Sequence, residues 1–238
     1  MNTRIFLLVV ISALLFTVSS CKEEQGDGIL NLKYAASLDG GNLELNQTYI
    51  LNGDSVYFTL IQYYICDASI SDKDGATSLD LSDVSFIDFS EPSSLDYNFT
   101  LDATAYKNLT YTVGLSDERG ATDPSTYASD HPMSLNRSMY WLMANAYVYF
   151  KIEGFRIKNG VDEPLVYHVG MNGFAQNKEA PQSFTINKGN TTSLITTLDL
   201  NEVFANINFD TEPETHTMNN MPLAQKLMNN FVNALTTN

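Results

Sequence analysis

Apolar and polar side chains alternate along much of the chain, which is the pattern of β-strands with one buried face. The first segment with this two-residue period places five apolar residues on one side: Leu30, Leu32, Tyr34, Ala36 and Leu38. The period recurs in residues 55–70, where Leu60 would share the buried face, and in residues 146–152, where Val148, Phe150 and Ile152 would point inward. It also recurs in residues 111–115, 165–169, 184–186 and 194–198. Asn-Gly and Asp-Gly turns between such segments are typical of hairpins. The pattern therefore predicts a protein built mainly from antiparallel strands.

Helical periodicity occurs only near the end of the chain. Residues 201–206 predict a short helix. Residues 222–235 predict a longer one, because Pro222 suits a first turn and apolar residues recur every four positions after it. Residues 116–135 have no period and predict a long loop. We expect an all-β fold, one antiparallel β-sandwich with a long loop and a C-terminal helix.

The N-terminus has the features of a secretion signal. Arg4 precedes an apolar run at residues 5–16, which is shorter than the roughly 20 residues of a membrane span. The sequence VSSC at residues 18–21 fits the lipobox of bacterial lipoproteins, and plain secretion with cleavage near Ser20 is the alternative. We expect a signal peptide at residues 1–20, a tether at residues 21–28 that is lipidated on Cys21, and one domain at residues 29–238.

The predicted lipidation indicates where the protein is located, and the net charge indicates which partners are not expected. Each buried methylene of an acyl chain contributes about 0.8 kcal/mol, so acylation of Cys21 would hold the protein on a membrane. We expect a place in the bacterial cell envelope, on the periplasmic or surface face of the outer membrane. Removal of residues 1–20 leaves 12 of the 13 basic residues and all 28 acidic ones, a formal charge of −16. Nucleic acid is not expected as a partner.

Common enzyme motifs are missing from the sequence. It has no Gly-rich phosphate loop, no GxSxG elbow, no HExxH and no CxxC. The mature chain is therefore not expected to be an enzyme. Cys66 lacks an intramolecular partner and lies in an apolar run, so we expect a buried thiol rather than a soft metal ligand.

Soft metal ligands are concentrated in the second half of the chain. All three histidines and the seven methionines of the mature chain lie at or after position 131. Imidazole and thioether groups suit copper, above all Cu(I), whereas methionines also fill gaps in protein cores. His168 lies on the polar face of its predicted strand. His216 and Met218 are two residues apart, and in extended backbone they would project to the same side. His131, in the long loop, is expected to be solvated.

Four acids in the long loop offer hard oxygen ligands that suit calcium: Asp117, Glu118, Asp123 and Asp130. Their spacing does not match that of an EF-hand. A solvated acidic loop is the alternative interpretation.

Several segments, taken in order, resemble the MbnP-like family, the methanobactin-associated periplasmic copper-binding proteins. LIQYYICDASI at residues 60–70 resembles a family strand with paired tyrosines. MSLNRSMYWLMANAYVYFKIEGF at residues 133–155 resembles the signature M-(F/Y)-W-x-W-x-x-G-Y-x-(F)-x-K-(I/L)-E-G. YHVG at residues 167–170 resembles the (F/Y)-H-(I/L)-G strand, and THTMNN at residues 215–220 resembles the closing H-x-M-(H) motif.

This resemblance implies an exported β-sandwich protein that binds copper without catalysing a reaction. It also implies a dihaem peroxidase-like partner able to oxidise a protein tryptophan to kynurenine. Carried over by position, Trp141 matches the first tryptophan of the signature, an oxidisable aromatic near the site. His168 matches the strand histidine, and His216 with Met218 matches the closing motif.

The sequence also departs from the family pattern. Met143 replaces the second tryptophan, Ala146 the glycine, and Asn219 the final histidine, and the first strand lacks a histidine that relatives often carry. A second hypothesis is therefore a structural or ligand-binding cell-surface lipoprotein whose metal site has been lost. It predicts a fully buried Trp141 and Tyr147, and imidazoles more than about 8 Å apart, too far to share one ion at nitrogen-to-metal distances near 2 Å.

Overall fold

The structure, a computed structural model, describes residues 26–238. Its strands are β1 (Asp27–Leu38), β2 (Gly41–Asn42), β3 (Tyr49–Leu51), β4 (Asp54–Asp72), β5 (Ser78–Asp88), β6 (Asp96–Asp102), β7 (Ala105–Val113), β8 (Tyr140–Trp141), β9 (Ala146–Lys158), β10 (Val161–Gly170), β11 (Gln176–Thr185), β12 (Thr191–Asp199), β13 (Glu214–Thr215) and β14 (Leu235–Thr237). Its helices are α1 (Asp117–Gly120), α2 (Leu200–Val203) and α3 (Met221–Ala234). The predicted signal peptide and Cys21 lie outside the described residues. Because β1 begins at Asp27, the last two residues of the predicted tether belong to the first strand.

The strands form two sheets. The five-stranded sheet has the order β14-β12-β1-β2, and β6 also pairs with β1. The nine-stranded sheet has the order β11-β7-β4-β9-β10-β13, with β3 and β5 also on β4 and β8 on β9. Most pairs are antiparallel, as predicted. However, β1 pairs in parallel with β12 and β10 with β13, so both sheets are mixed. These partners are far apart in sequence, so no tight turn forces them to run antiparallel.

The predicted alternation is confirmed in β1, where the five apolar residues are at most 7% exposed. In β4 it is only partly correct, because a β-bulge between Phe58 and Leu60 shifts the register. Ile61, rather than Leu60, is therefore buried. Further along β4, Tyr63 and Tyr64 are both buried, so both faces of the sheet are covered there.

The long loop after β7 covers the outer face of β9. Val148, Phe150 and Ile152 point into the core as predicted, but Tyr147 and Tyr149 on the other face are also buried. The Tyr147 hydroxyl donates to the Met133 carbonyl at 3.1 Å. The expectation of an ordinary amphipathic strand is therefore wrong for this part of β9. The loop is also partly ordered into α1 and two 3₁₀ turns, Pro124–Thr126 and Leu135–Arg137.

The C-terminal helix is confirmed as α3. Asn220 caps it by accepting a hydrogen bond from the Leu223 backbone N–H at 3.2 Å. Phe231, on its buried face, stacks on Phe150 with ring centroids 4.5 Å apart and meets Tyr63 edge-on at 5.2 Å. The helix thereby packs against the core side of β4 and β9. None of the helices within residues 26–238 is long and apolar enough to cross a membrane.

Candidate metal centre

His168 is placed by an ordinary β-hairpin. β9 and β10 are joined at Asn159-Gly160, where φ is 52° and 76°, as a two-residue turn of the hairpin type requires. Strand alternation then points Leu165, Tyr167 and Val169 into the core and His168 to the opposite face. The predicted orientation of this histidine is confirmed. Its side chain is only 12% exposed, because neighbouring groups cover it.

Glu153 orients the His168 imidazole. Its Oε1 lies 2.6 Å from His168 Nε2. An ionised carboxylate only accepts hydrogen bonds, so Nε2 carries the hydrogen and the neutral ring keeps its lone pair on Nδ1. Carboxylates commonly fix metal-binding histidines in this way. His168 is therefore held in a tautomer and an orientation that leave one nitrogen free to bind a metal ion.

The surroundings favour a neutral imidazole. Burial lowers the pKa of His168, and the nearby Lys151 ammonium lowers it further, although the hydrogen bond to Glu153 opposes both effects. Burial also lowers the pKa of Lys151, which faces His168 across the β9–β10 pair. Neutral imidazole is the form that binds metals.

His216 is placed by a tight turn. β13 pairs with β10 only at Val166 and Tyr167, and the chain then turns sharply. The Met218 N–H donates to the His216 carbonyl at 2.7 Å, and Thr217 between them has φ of 60°. This i to i+2 hydrogen bond is that of a γ-turn, and a positive φ is strained for a β-branched residue. The expectation that His216 and Met218 lie in extended backbone is therefore wrong.

The Thr217 side chain explains how this strain is maintained. The residue is fully buried, and its hydroxyl donates to the His168 carbonyl at 3.1 Å. The same hydroxyl accepts from the Gly170 N–H at 3.0 Å. The hydroxyl thus takes the place of a strand partner along the edge of β10. It ties the backbone next to His216 to the backbone of His168.

Asn219 supports the same turn. Its Oδ1 accepts from the His216 N–H at 2.7 Å and from the Thr215 hydroxyl at 3.3 Å. This residue occupies the position where the resemblance implies a third imidazole. Its side chain stabilises the backbone that carries His216.

The two histidines and Trp141 come together in space. The ring centroids of His168 and His216 are 4.9 Å apart at an interplanar angle of 78°. Trp141, on β8, lies 6.5 Å from His168 and 6.4 Å from His216 by ring centroids. The imidazoles are thus well within the limit of about 8 Å for sharing one ion. Trp141 is half-buried rather than fully buried, whereas Tyr147 is buried, so only the second of these two expectations of the rival hypothesis is met.

The methionines divide into core and surface groups. Met133, Met139 and Met228 are buried and fill the core, as the alternative interpretation of the cluster expected. Met218 is 66% exposed, and Met143 at the tip of the β8–β9 hairpin is fully exposed. Met218 as a thioether ligand stays a prediction.

Other predicted ligands lie elsewhere. His131 is not freely solvated, since it stacks on Tyr127 with ring centroids 4.2 Å apart and its Nδ1 accepts from the Met133 N–H. Cys66 is buried as expected, and burial raises the pKa of its thiol to about 12. Within residues 26–238, no group of three or more His, Cys, Asp or Glu side chains is placed to hold a metal ion. The loop acids predicted for calcium therefore do not form such a group.

Sequence reasoning missed the residues that support the site. Glu153 and Lys151 are part of the K-x-E-G block, two residues apart on the outer face of β9, so strand alternation would have placed both beside His168. Thr217 and Asn219 act through contacts with the backbone. Such contacts leave no periodic signal in the sequence.

Comparison with known proteins identifies the family and supports the fold. The model of the family MbnP matches residues 27–220. Among solved structures, MbnP from Methylosinus trichosporium is similar, with a TM-score of 0.53 and 15% sequence identity over 75% of this chain and 78% of that chain. At this identity the similarity concerns the fold. No curated protein matches the sequence. The match to the family model covers most of the chain, and the chain belongs to the MbnP family.

Proposed function

We propose that this protein is an exported, lipid-anchored member of the MbnP family that binds copper through His168 and His216 without catalysing a reaction itself. The observation that carries the proposal is the 4.9 Å separation of two imidazoles from different elements, one of them oriented by a carboxylate. The β10–β13 pairing and the Thr217 hydroxyl together join the backbones of the strand histidine and the turn histidine.

The donor set fits copper better than harder ions. Two imidazoles with a thioether two residues away suit Cu(I), which prefers soft ligands. Structural zinc sites need about four ligands and calcium about six to eight oxygens. Copper, when bound, supplies one-electron redox chemistry, and Trp141 is the oxidisable side chain that lies close to both imidazoles.

Two further parts of the proposal rest on the sequence. The family resemblance supports a dihaem peroxidase-like protein as the partner, with Trp141 as its substrate. The lipobox supports anchoring through Cys21 to the outer membrane. The intact mass of natively expressed protein tests both, because acylation and conversion of one tryptophan to kynurenine each change the mass by a characteristic amount.

Anaerobic calorimetric titration of the mature domain with Cu(I) tests copper binding directly. We expect a dissociation constant below micromolar and its loss in the His168→Ala, His216→Ala double variant. His131→Ala is the matched control. This histidine stacks on Tyr127 in the long loop, so its replacement should leave the affinity for Cu(I) unchanged. Binding weaker than micromolar, or equal affinity in the double variant, would contradict the proposal and favour a structural or ligand-binding lipoprotein without a metal site.

A further inference from the structure

We propose that Lys151 is a positioning residue that holds Trp141 beside the two imidazoles by anchoring the segment that leads into β8. The inference rests on the proposed function only in treating the His168–His216 pair as a metal centre. The placement of Trp141 can be measured without any metal.

Lys151 lies beside the candidate site. In β9 it is paired in register with His168 on one side and with Gln62 of β4 on the other. Its Nζ donates to the backbone carbonyl of Ser138 at 2.6 Å. A hydrogen bond from a charged ammonium is stronger than one between neutral groups. This contact joins the strand that faces His168 to the segment that carries Trp141 three residues later.

The β8–β9 hairpin needs such an anchor because it is short. β8 pairs with β9 at only two positions, Tyr140 with Tyr147 and Trp141 with Ala146. All four residues of the connecting turn, 142–145, are exposed. A ladder of this size is marginally stable in water, so contacts at its base must hold it in place.

Two hydrogen bonds are present at that base. The Val148 N–H donates to the Met139 carbonyl at 2.9 Å, which fixes the register of the segment before β8 against β9. Ser138, which ends a 3₁₀ turn, has φ of 56° and so directs its carbonyl away from the course of an extended strand. Lys151 binds that carbonyl. The hydrogen bond therefore defines where the chain enters β8.

Lys151 and Glu153 hold different parts of the site in place. They are two residues apart on the same face of β9, and Glu153 is engaged by His168. Lys151 is held at a backbone carbonyl of the tryptophan segment, and burying an amine is costly unless it has such a partner. Two side chains of β9 therefore act on the site. The Glu153 carboxylate holds the His168 imidazole, and the Lys151 ammonium holds the segment that carries Trp141.

Trp141 is the only tryptophan in the chain, so its fluorescence reports on this position alone. The experiment compares metal-free, chelator-treated full domains of the wild type, Lys151→Met and Lys151→Arg. The Met variant keeps most of the apolar stem but removes the donor, and we expect a red-shifted emission and a severalfold rise in acrylamide quenching. The Arg variant keeps a charged donor and should restore most of the wild-type signal. Lys158→Met, on the same strand but paired with Asp210, is the control and should leave the emission unchanged.

Wild-type emission and quenching in Lys151→Met would overturn the proposal, as would an Arg variant that behaves like the Met variant. If Lys151→Met does not fold, Lys151→Gln, a shorter neutral donor, replaces it and should give an intermediate rise in quenching. Fluorescence of Lys151→Gln identical to the wild type would also overturn the proposal. Because the readout needs no copper, failure of copper binding and failure of this inference are distinguishable.

Discussion

The two halves of the candidate metal centre are held in place in opposite ways. His168 belongs to a regular strand, its imidazole is largely covered, and a carboxylate fixes its ring. His216 belongs to a strained turn, and its side chain is exposed. The hydrogen bonds of the turn, from Thr217 and Asn219, hold its backbone rather than its ring.

Because of this difference, the supporting side chains of the turn half should affect mainly the stability of the protein. Those of the strand half should affect mainly the orientation of a metal ligand. In the turn half, the supporting side chains satisfy backbone groups, among them the buried N–H of Gly170, so their loss should mainly lower the free energy of unfolding. In the strand half, the β9–β10 ladder holds the strand, and Glu153 contacts the ring rather than the backbone of His168. Its loss should mainly lower the affinity for a metal ion.

The largest effect on stability is expected for Thr217→Val. Valine has nearly the same shape but no hydroxyl, so the buried Gly170 N–H loses its partner and the His168 carbonyl loses a donor. We expect a loss of about 2–4 kcal/mol in the free energy of unfolding, since each unsatisfied buried group costs about 1–3 kcal/mol. Urea denaturation followed by circular dichroism measures this quantity.

Thr217→Ser is the matched control, because it keeps the hydroxyl and loses only a methyl group. Its unfolding free energy should stay within about 1.5 kcal/mol of the wild type. Equal stabilities for the Val and Ser variants would show that the hydroxyl does not hold the turn to β10, and the proposed difference between the halves would fail.

The second largest effect is expected for Glu153→Gln in the strand half, and it concerns the affinity for a metal ion. The amide is nearly isosteric, but it removes the negative charge that orients the His168 ring and makes it a better ligand. Replacing such a partner typically lowers metal affinity by about 10- to 100-fold. Anaerobic Cu(I) titration measures the change, while the unfolding free energy should shift by less than about 1 kcal/mol.

Glu179→Gln, an exposed residue on β11, is the control for the change in net charge. β11 and β13 lie at opposite ends of the order of the nine-stranded sheet, so the affinity should not change. If both Gln variants lose affinity equally, the effect is one of overall charge and not of the orientation of His168.

The same contrast explains how much could be predicted from sequence. The strand half follows from alternation, which correctly placed His168 opposite Tyr167. Its supporting pair, Lys151 and Glu153, obeys the same rule and could have been found. The turn half could not, because Thr217 meets the backbone of a residue 49 positions away and its positive φ has no residue-type signature.

The elements of the fold also divide into those that the sequence predicted and those that were missed. β1 and α3 were predicted because long periodic segments face a single core. β6 was missed although Tyr97, Phe99 and Leu101 alternate, since the segment is short and its polar residues resemble a turn. β5 was missed because its alternation is interrupted: Leu79 and Leu81 alternate with polar residues, but the next apolar residue is Val84. The burial of Tyr147 depends on the distant loop that covers it, which no local pattern reveals.

The smallest effect concerns the pH dependence of the strand half. Burial lowers the pKa of His168 from its ordinary value of 6.5, so the folded protein binds this proton more weakly than the unfolded chain. His168 therefore contributes stability that is present above about pH 6.5 and is lost as the pH falls through the lower pKa of the folded state. The unfolding free energy of metal-free protein should decrease over this interval, by at most about 1.4 kcal/mol per pH unit for one proton.

Urea denaturation at pH 7.5 and pH 5.5 (about one unit either side of the free imidazole pKa) measures this dependence in the wild type and in His168→Gln. His168→Gln cannot take up a proton at this position, so part of the loss at the lower pH should disappear. The same pH dependence in the wild type and in His168→Gln would mean that the covered environment of His168 does not disfavour its charged form. The covered position of this imidazole would then have no consequence for the stability of the protein.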